Sequence, residues 1–168
     1  VYKRQTINNY ELKDIQKKHL REHVGLVLQE PFLFSKTIAS NLKIVNPDIT
    51  EEEMFNSIKI ASLDQTVNDL KDGLNTYVGE RGVSLSGGQK QRISIARTLV
   101  TKAPVLIFDD SLSAVDTETD IKIRQALKQR AKDKTTIIVT HRVSTAKDAD
   151  HIIISVSYTH LTLPTTSR

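Results

Sequence analysis

Pro104-Val105-Leu106-Ile107-Phe108-Asp109-Asp110 constrains this chain more than any other stretch. An unbroken apolar run that ends in acids is the pattern of a fully buried strand in a parallel sheet. Its carboxylates then stand at the carboxyl edge, where open α/β sheets bind ligands. Val24-Gly25-Leu26-Val27-Leu28 and the β-branched run Thr135 to Thr140 read as two more strands, and His151-Ile152-Ile153-Ile154 begins another. The expectation is an α/β fold. Acids at the end of a buried strand serve as capping groups or as ligands of a hard cation such as Mg²⁺.

Val83-Ser84-Leu85-Ser86-Gly87-Gly88-Gln89 precedes the apolar-periodic run Ile93, Ile95, Ala96, Leu99, Val100. A hydroxyl and two glycines directly before a helix aim free N–H groups and the positive helix end at one spot. Gly87 and Gly88 admit a close backbone approach. The stretch is a phosphate cradle or an ordinary Ser/Gly helix cap.

Other segments read more simply. Leu12, Ile15, Leu20 and Val24 are the apolar positions of a short helical stretch. His19 and His23 on it are i, i+4 neighbours with no third metal ligand evident, as solvated surface histidines would be. Gln29 opens a loop, because Pro31 disfavours helix at Glu30. Phe32 and Phe34 alternate with Leu33 and belong to the core or to an exposed docking face. Thr50 and Glu53 form a capping box for a helix with Met54, Phe55, Ile58 and Ala61 on its apolar face. Asp64 to Leu70 reads as a short helix. Thr117 with Asp120 starts a later one, with Ile121, Ile123 and Leu127 inward. His141 follows the last complete strand as a turn residue would.

The ends look foreign. Val1-Tyr2-Lys3-Arg4-Gln5 can be encoded by GTG TAT AAG AGA CAG, and the reverse complement of that string encodes Val156-Ser157-Tyr158-Thr159 in one frame. Both ends resemble one sequencing-library adapter read on opposite strands. Residues 1–5 and 155–168 are therefore set aside from fold reasoning. The formal charge of +4 then falls to +1, because Lys3, Arg4 and Arg168 leave with the ends. The case for a nucleic-acid partner goes with them. There is no cysteine, which excludes disulfides and thiolate metal sites. No apolar run approaches the roughly 20 residues of a membrane helix, and no signal peptide is visible.

The motifs together resemble the ATPase domain of ATP-binding-cassette (ABC) transporters. Leu85-Ser86-Gly87-Gly88-Gln89 resembles the signature motif, which closes over the γ-phosphate of ATP held by a second, facing domain. Val27-Leu28-Gln29-Glu30-Pro31-Phe32-Leu33-Phe34 resembles the Q-loop of exporters. The resemblance implies that Gln29 meets Mg²⁺ and water, and that the aromatics line a groove for coupling helices of a transmembrane domain. Val78-Gly79-Glu80-Arg81-Gly82 resembles the exporter loop before the signature. The run into Asp109-Asp110 resembles Walker B. Asp109 is then the Mg²⁺ residue, and Asp110 stands where the family usually has a catalytic glutamate. Ser111 to Asp116 matches the D-loop at the dimer interface, and His141 the switch histidine.

Five motifs in the family's order over Thr6 to Ile154 imply a P-loop NTPase core with an inserted helical subdomain. The resemblance implies a helical part over about 34–100, a core over about 101–154, ATP and Mg²⁺ as ligands, and the cytoplasmic face of a membrane as location. The sequence contains no G-x-x-x-x-G-K-[ST]. By the resemblance, the chain begins after the first core helix and stops before the domain ends. Asp110 implies a heterodimer with one slow site. Two other readings stay open: a non-catalytic regulatory cassette and a soluble ABC ATPase.

Overall fold

The computed structural model describes residues 5–79, 83–130 and 134–154. The adapter-like residues 1–4 and 155–168 lie outside them, as do Glu80, Arg81 and Gly82.

Two short strands, β1 (Thr6–Ile7) and β2 (Tyr10–Glu11), form a hairpin. Its two turn residues, Asn8 and Asn9, both have positive φ, the requirement of a tight hairpin turn that asparagine tolerates. The expected first helix is broken. A 3-10 turn over Leu12–Asp14 ends where Ile15 and Gln16 become extended, and α1 runs only over Lys17–His23. The helix places Glu22 beside His19 and His23, a third candidate ligand that sequence reading does not see.

The next strand, β3 (Val24–Val27), leads to β4 (Lys36–Thr37), α2 (Ile38–Lys43), α3 (Glu51–Ile60) and α4 (Asp64–Asp69). The capping box of α3 forms as expected: Thr50 Oγ1 accepts from the Glu53 N–H, and Glu53 Oε2 accepts from the Thr50 N–H. Met54, Ile58 and Ala61 are buried, but Phe55 is exposed. It lies about 100° around the helix from Met54, beyond the edge of the apolar stripe. β5 (Tyr77–Val78) pairs antiparallel with β4.

The central element is α5 (Gly87–Leu99). Ile93 and Ala96 pack into one apolar cluster with Ile38, Leu42, Met54 and Ile58. Ile95 and Leu99 pack into another with Val27, Leu106, Phe108 and Ile123. One helix is thus the shared wall of two cores.

After it come β6 (Val105–Asp109), α6 (Thr117–Arg130), β7 (Thr135–Val139) and the short α7 (Val143–Ala146). The strands β3, β6 and β7 form a parallel sheet in that order, with β6 central. The expectation that β6 is fully buried is corrected. Leu106 and Phe108 face α5 and are buried, whereas Val105 and Ile107 are only partly covered. Leu26, at 50% exposure, and Ile137 flank Ile107 on this open face. Only one face of the sheet carries helices among the described residues.

Two smaller expectations are also corrected. In α6, Ile123 and Leu127 point inward, but Ile121, about 200° from Ile123 around the axis, is exposed. α6 starts at Thr117 as expected, and its cap is Asp116. Its Oδ1 accepts from the Thr119 N–H at 2.9 Å and its Oδ2 from the Thr119 hydroxyl at 2.8 Å. Residues 152–154 are irregular, with Ile153 and Ile154 exposed, because no described strand pairs with them. No described helix is long and apolar enough to cross a membrane.

Candidate functional site

Parallel strands deliver their last residues to one edge, and this sheet does so with three candidate groups. Gln29 follows β3, Asp109 and Asp110 end β6, and His141 follows β7. The register Asp109↔Val139 sets the ends of β6 and β7 level.

Asp110 is the best-fixed group at this edge. Its backbone is left-handed at φ 47°, a conformation that aspartate tolerates. Its N–H donates to the Val139 carbonyl at 3.0 Å, and its own carbonyl accepts the Ser113 hydroxyl at 2.6 Å. These bonds turn the side chain toward His141, whose Nδ1 is 3.5 Å from Asp110 Oδ1. The carboxylate side chain is 15% exposed and the imidazole 75%. Asp110 Oδ1 is buried yet has no hydrogen-bond partner. A buried carboxylate oxygen left unsatisfied is costly, so this atom is suited to a water or a reacting group. Asp109 is exposed beside it and open to a hydrated cation. Gln29 is exposed too, and its side chain makes no hydrogen bond among the described residues.

The Ser-Gly-Gly stretch forms a helix start with a capping box. Ser86 Oγ accepts from the Gln89 N–H at 3.2 Å, and Gln89 Oε1 accepts from the Ser86 N–H at 2.9 Å. Ser86 and Gly87 are exposed. A Cβ on Gly87 would meet nothing within 4 Å, so packing within the chain does not demand glycine there. The open surface over Gly87 fits an anion at the helix N-terminus.

Asp116 is tied to the Ser-Gly-Gly helix start through Arg92. Its bonds from the Thr119 N–H and then the Thr119 hydroxyl hold its carboxyl below the usual carboxylate range, with Arg92 adding a smaller attraction. Arg92 Nη1 lies 3.9 Å from Asp116 Oδ2, and Arg92 also donates to the carbonyls of Ser62 and Gly88.

Several positioning groups escape sequence reading because their partners are remote. Arg142 donates to the Ser113 carbonyl at 2.8 Å and the Leu112 carbonyl at 3.5 Å, tying the histidine turn to the segment after Asp110. The buried Gln91 donates to the Leu28 carbonyl at 3.2 Å, joining α5 to the residue before Gln29. Arg97 donates to the Phe32 carbonyl at 3.0 Å, and burial pushes its guanidinium pKa down. It supports two exposed rings: Phe32 and Phe34 are 61% and 41% exposed and meet edge-to-face at 4.9 Å. Neither phenylalanine is a core residue.

The ABC transporter family profile matches residues 3–113. The ABC transporter ATP-binding protein YknU of Bacillus subtilis is 46% identical over 89% of this chain. The multidrug resistance protein pgp-1 of Caenorhabditis elegans is 46% identical over 88%. Those alignments span 26% and 11% of the two relatives. A bacterial Atm1-family ABC exporter solved with ATP bound matches 89% of this chain, with a TM-score of 0.82 and 37% identity. The match takes up 26% of that exporter's chain. This chain belongs to the ABC transporter family, and its fold is that of part of an exporter's ATP-binding domain.

Proposed function

We propose that the parent protein hydrolyses MgATP at the interface of two such domains and uses the energy for export. The observation that carries this reading is the approach of His141, at one sheet edge, to within 3.5 Å of a buried Asp110 oxygen that has no hydrogen-bond partner. Asp109, acting through water, and Gln29 would hold Mg²⁺, which supplies charge neutralisation for the phosphates. Asp110 orients the attacking water and accepts its proton as the water oxygen bonds to the γ-phosphorus and ADP leaves. His141 donates a hydrogen bond to the γ-phosphate region. Ser86, Gly87, Gly88 and Gln89 offer their cradle to the ATP of the facing domain, and Asp116 borders that interface.

Phe32 and Phe34 fit a docking surface for the coupling helices of a transmembrane domain, which sets the domain at the cytoplasmic face of the membrane. The cluster of Ile38, Leu42, Met54 and Ile58 supports a helical part over about 34–100, and the second cluster joins a core over about 101–154 to Val27, Ile95 and Leu99.

Asp110 favours a second reading of the same site. A carboxylate one C–C bond shorter than glutamate reaches about 1.5 Å less far, so this chain serves the slow site of a heterodimer. The test is ATPase activity of the reconstituted full-length parent with its partner. Asp110→Asn and His141→Ala, each made in this chain, should lower turnover at this chain's own site and leave nucleotide binding intact. Loss of binding with either substitution would point to a different role for the edge.

A further inference from the structure

The chemistry at the sheet edge leaves one cluster of ligating side chains unused. His19, Glu22 and His23 all lie on α1, and each is exposed. One ligand atom from each comes within 4.8 Å of the other two. The imidazole centroids are 4.1 Å apart with the rings tilted by 30°.

His23 is already oriented. Its Nδ1 lies 2.8 Å from the His19 carbonyl oxygen. A carbonyl only accepts, so Nδ1 carries the hydrogen, and in the neutral ring the lone pair is on Nε2. A hydrogen bond from the far ring nitrogen is the usual device that fixes a metal-binding histidine. His19 and His23 stand at the i, i+4 spacing by which one class of zinc enzymes sets two zinc-binding imidazoles on one helix face. There the intervening glutamate is a base, whereas here Glu22 lies close enough to both rings to serve as a third ligand. The competing partner is weak: Lys18 Nζ is 4.0 Å from Glu22 Oε1, and both side chains are exposed.

We propose that His19, Glu22 and His23 bind a divalent transition-metal ion of the zinc class. Imidazole nitrogens suit zinc, nickel and copper, whereas Mg²⁺ prefers oxygen ligands. Three protein ligands leave one position to water in a tetrahedral site. The exposure of all three groups makes this a binding site and not a hydrolytic centre. α1 runs directly into β3, with Val24 as both its cap and the first strand residue. A metal across its last turn therefore holds the segment that leads to Gln29.

The test is calorimetric titration of the full-length parent with Zn²⁺, with thermal melts of each variant with and without the ion. One zinc per chain is expected, with a rise in Tm. His19→Gln or His23→Gln should weaken binding by about tenfold or more and abolish the rise, Glu22→Gln should weaken it less, and His141→Gln should leave it unchanged. Because the three positions are exposed, the zinc-free melting temperatures should match. Zinc binding retained by the His19→Gln/His23→Gln double variant would overturn the proposal. So would loss of binding in His141→Gln, or no saturable binding at micromolar zinc.

Discussion

His141 Nδ1 stands 3.5 Å from Asp110 Oδ1, across the gap between the ends of β7 and β6. The separation is too long for a strong hydrogen bond, yet it leaves the carboxylate oxygen no other partner.

The length of the residue at 110 should therefore control turnover. A misplacement on the order of 1 Å in a reacting group costs about 100-fold in rate. Asp110→Glu in the full-length parent is expected to raise ATPase activity by up to about that factor at this chain's site. The comparison is between the parent alone and the parent with its genomic neighbour. Full activity of the parent alone, unchanged by the substitution, would sink the heterodimer reading.

Ser86 should matter to the facing nucleotide and not to this chain's own. Ser86→Arg sets bulk and charge over the open surface at Gly87. In the full-length transporter it is expected to abolish ATPase activity at the partner's site while nucleotide binding at this chain's own site persists. Ser86→Ala controls for the lost cap, which costs about 1 kcal/mol. If Ser86→Arg removes binding at this chain's own site, the cradle acts within one chain.

Asp116 carries a pH signature. Thr119 holds its carboxyl below the ordinary aspartate value of 3.8. A depressed folded pKa means that the stabilisation is fully present above the unfolded value and is lost as pH falls through the folded value. An asparagine at this position would cap the helix without titrating. The difference in urea midpoint between wild type and Asp116→Asn should be constant from pH 7 to 5 and should shift against the wild type below about pH 4. A difference that stays flat down to pH 3 would show that the cap bonds do not favour the charged form.

What could be read from the sequence follows from how local each signal is. The strand ends that place Asp109, Asp110 and His141 are set by runs of five or six residues, and parallel pairing then brings them together. The capping box at Thr50 spans four residues and forms as read, and Ser86 caps its helix with Gln89 closing a second box. The start of α6 is legible, but Asp116 is not legible as its cap, because Thr117 beside it offers the same chemistry. Phe55 and Ile121 lie off their helices' stripes by an angle that a list of apolar positions does not weigh. Arg142, Gln91 and Arg97 act on carbonyls about 30 to 65 positions away, and no local pattern announces them. The third member of the histidine cluster needed the turn of α1 to set Glu22 against its neighbours.

The face of the three-stranded sheet that the described residues leave open has a practical outcome for anyone handling this polypeptide. Leu26, Leu28, Ile137 and Val139 present an apolar strip, and β3 and β7 each keep one side without a described partner strand. Parallel sheets are ordinarily covered on both faces, and an open apolar surface bordered by unpaired strand edges promotes association. Prepared alone, the chain will behave as a sticky colloid, binding hydrophobic dyes and self-associating with rising concentration. Its solubility will be governed by this strip more than by its small net charge.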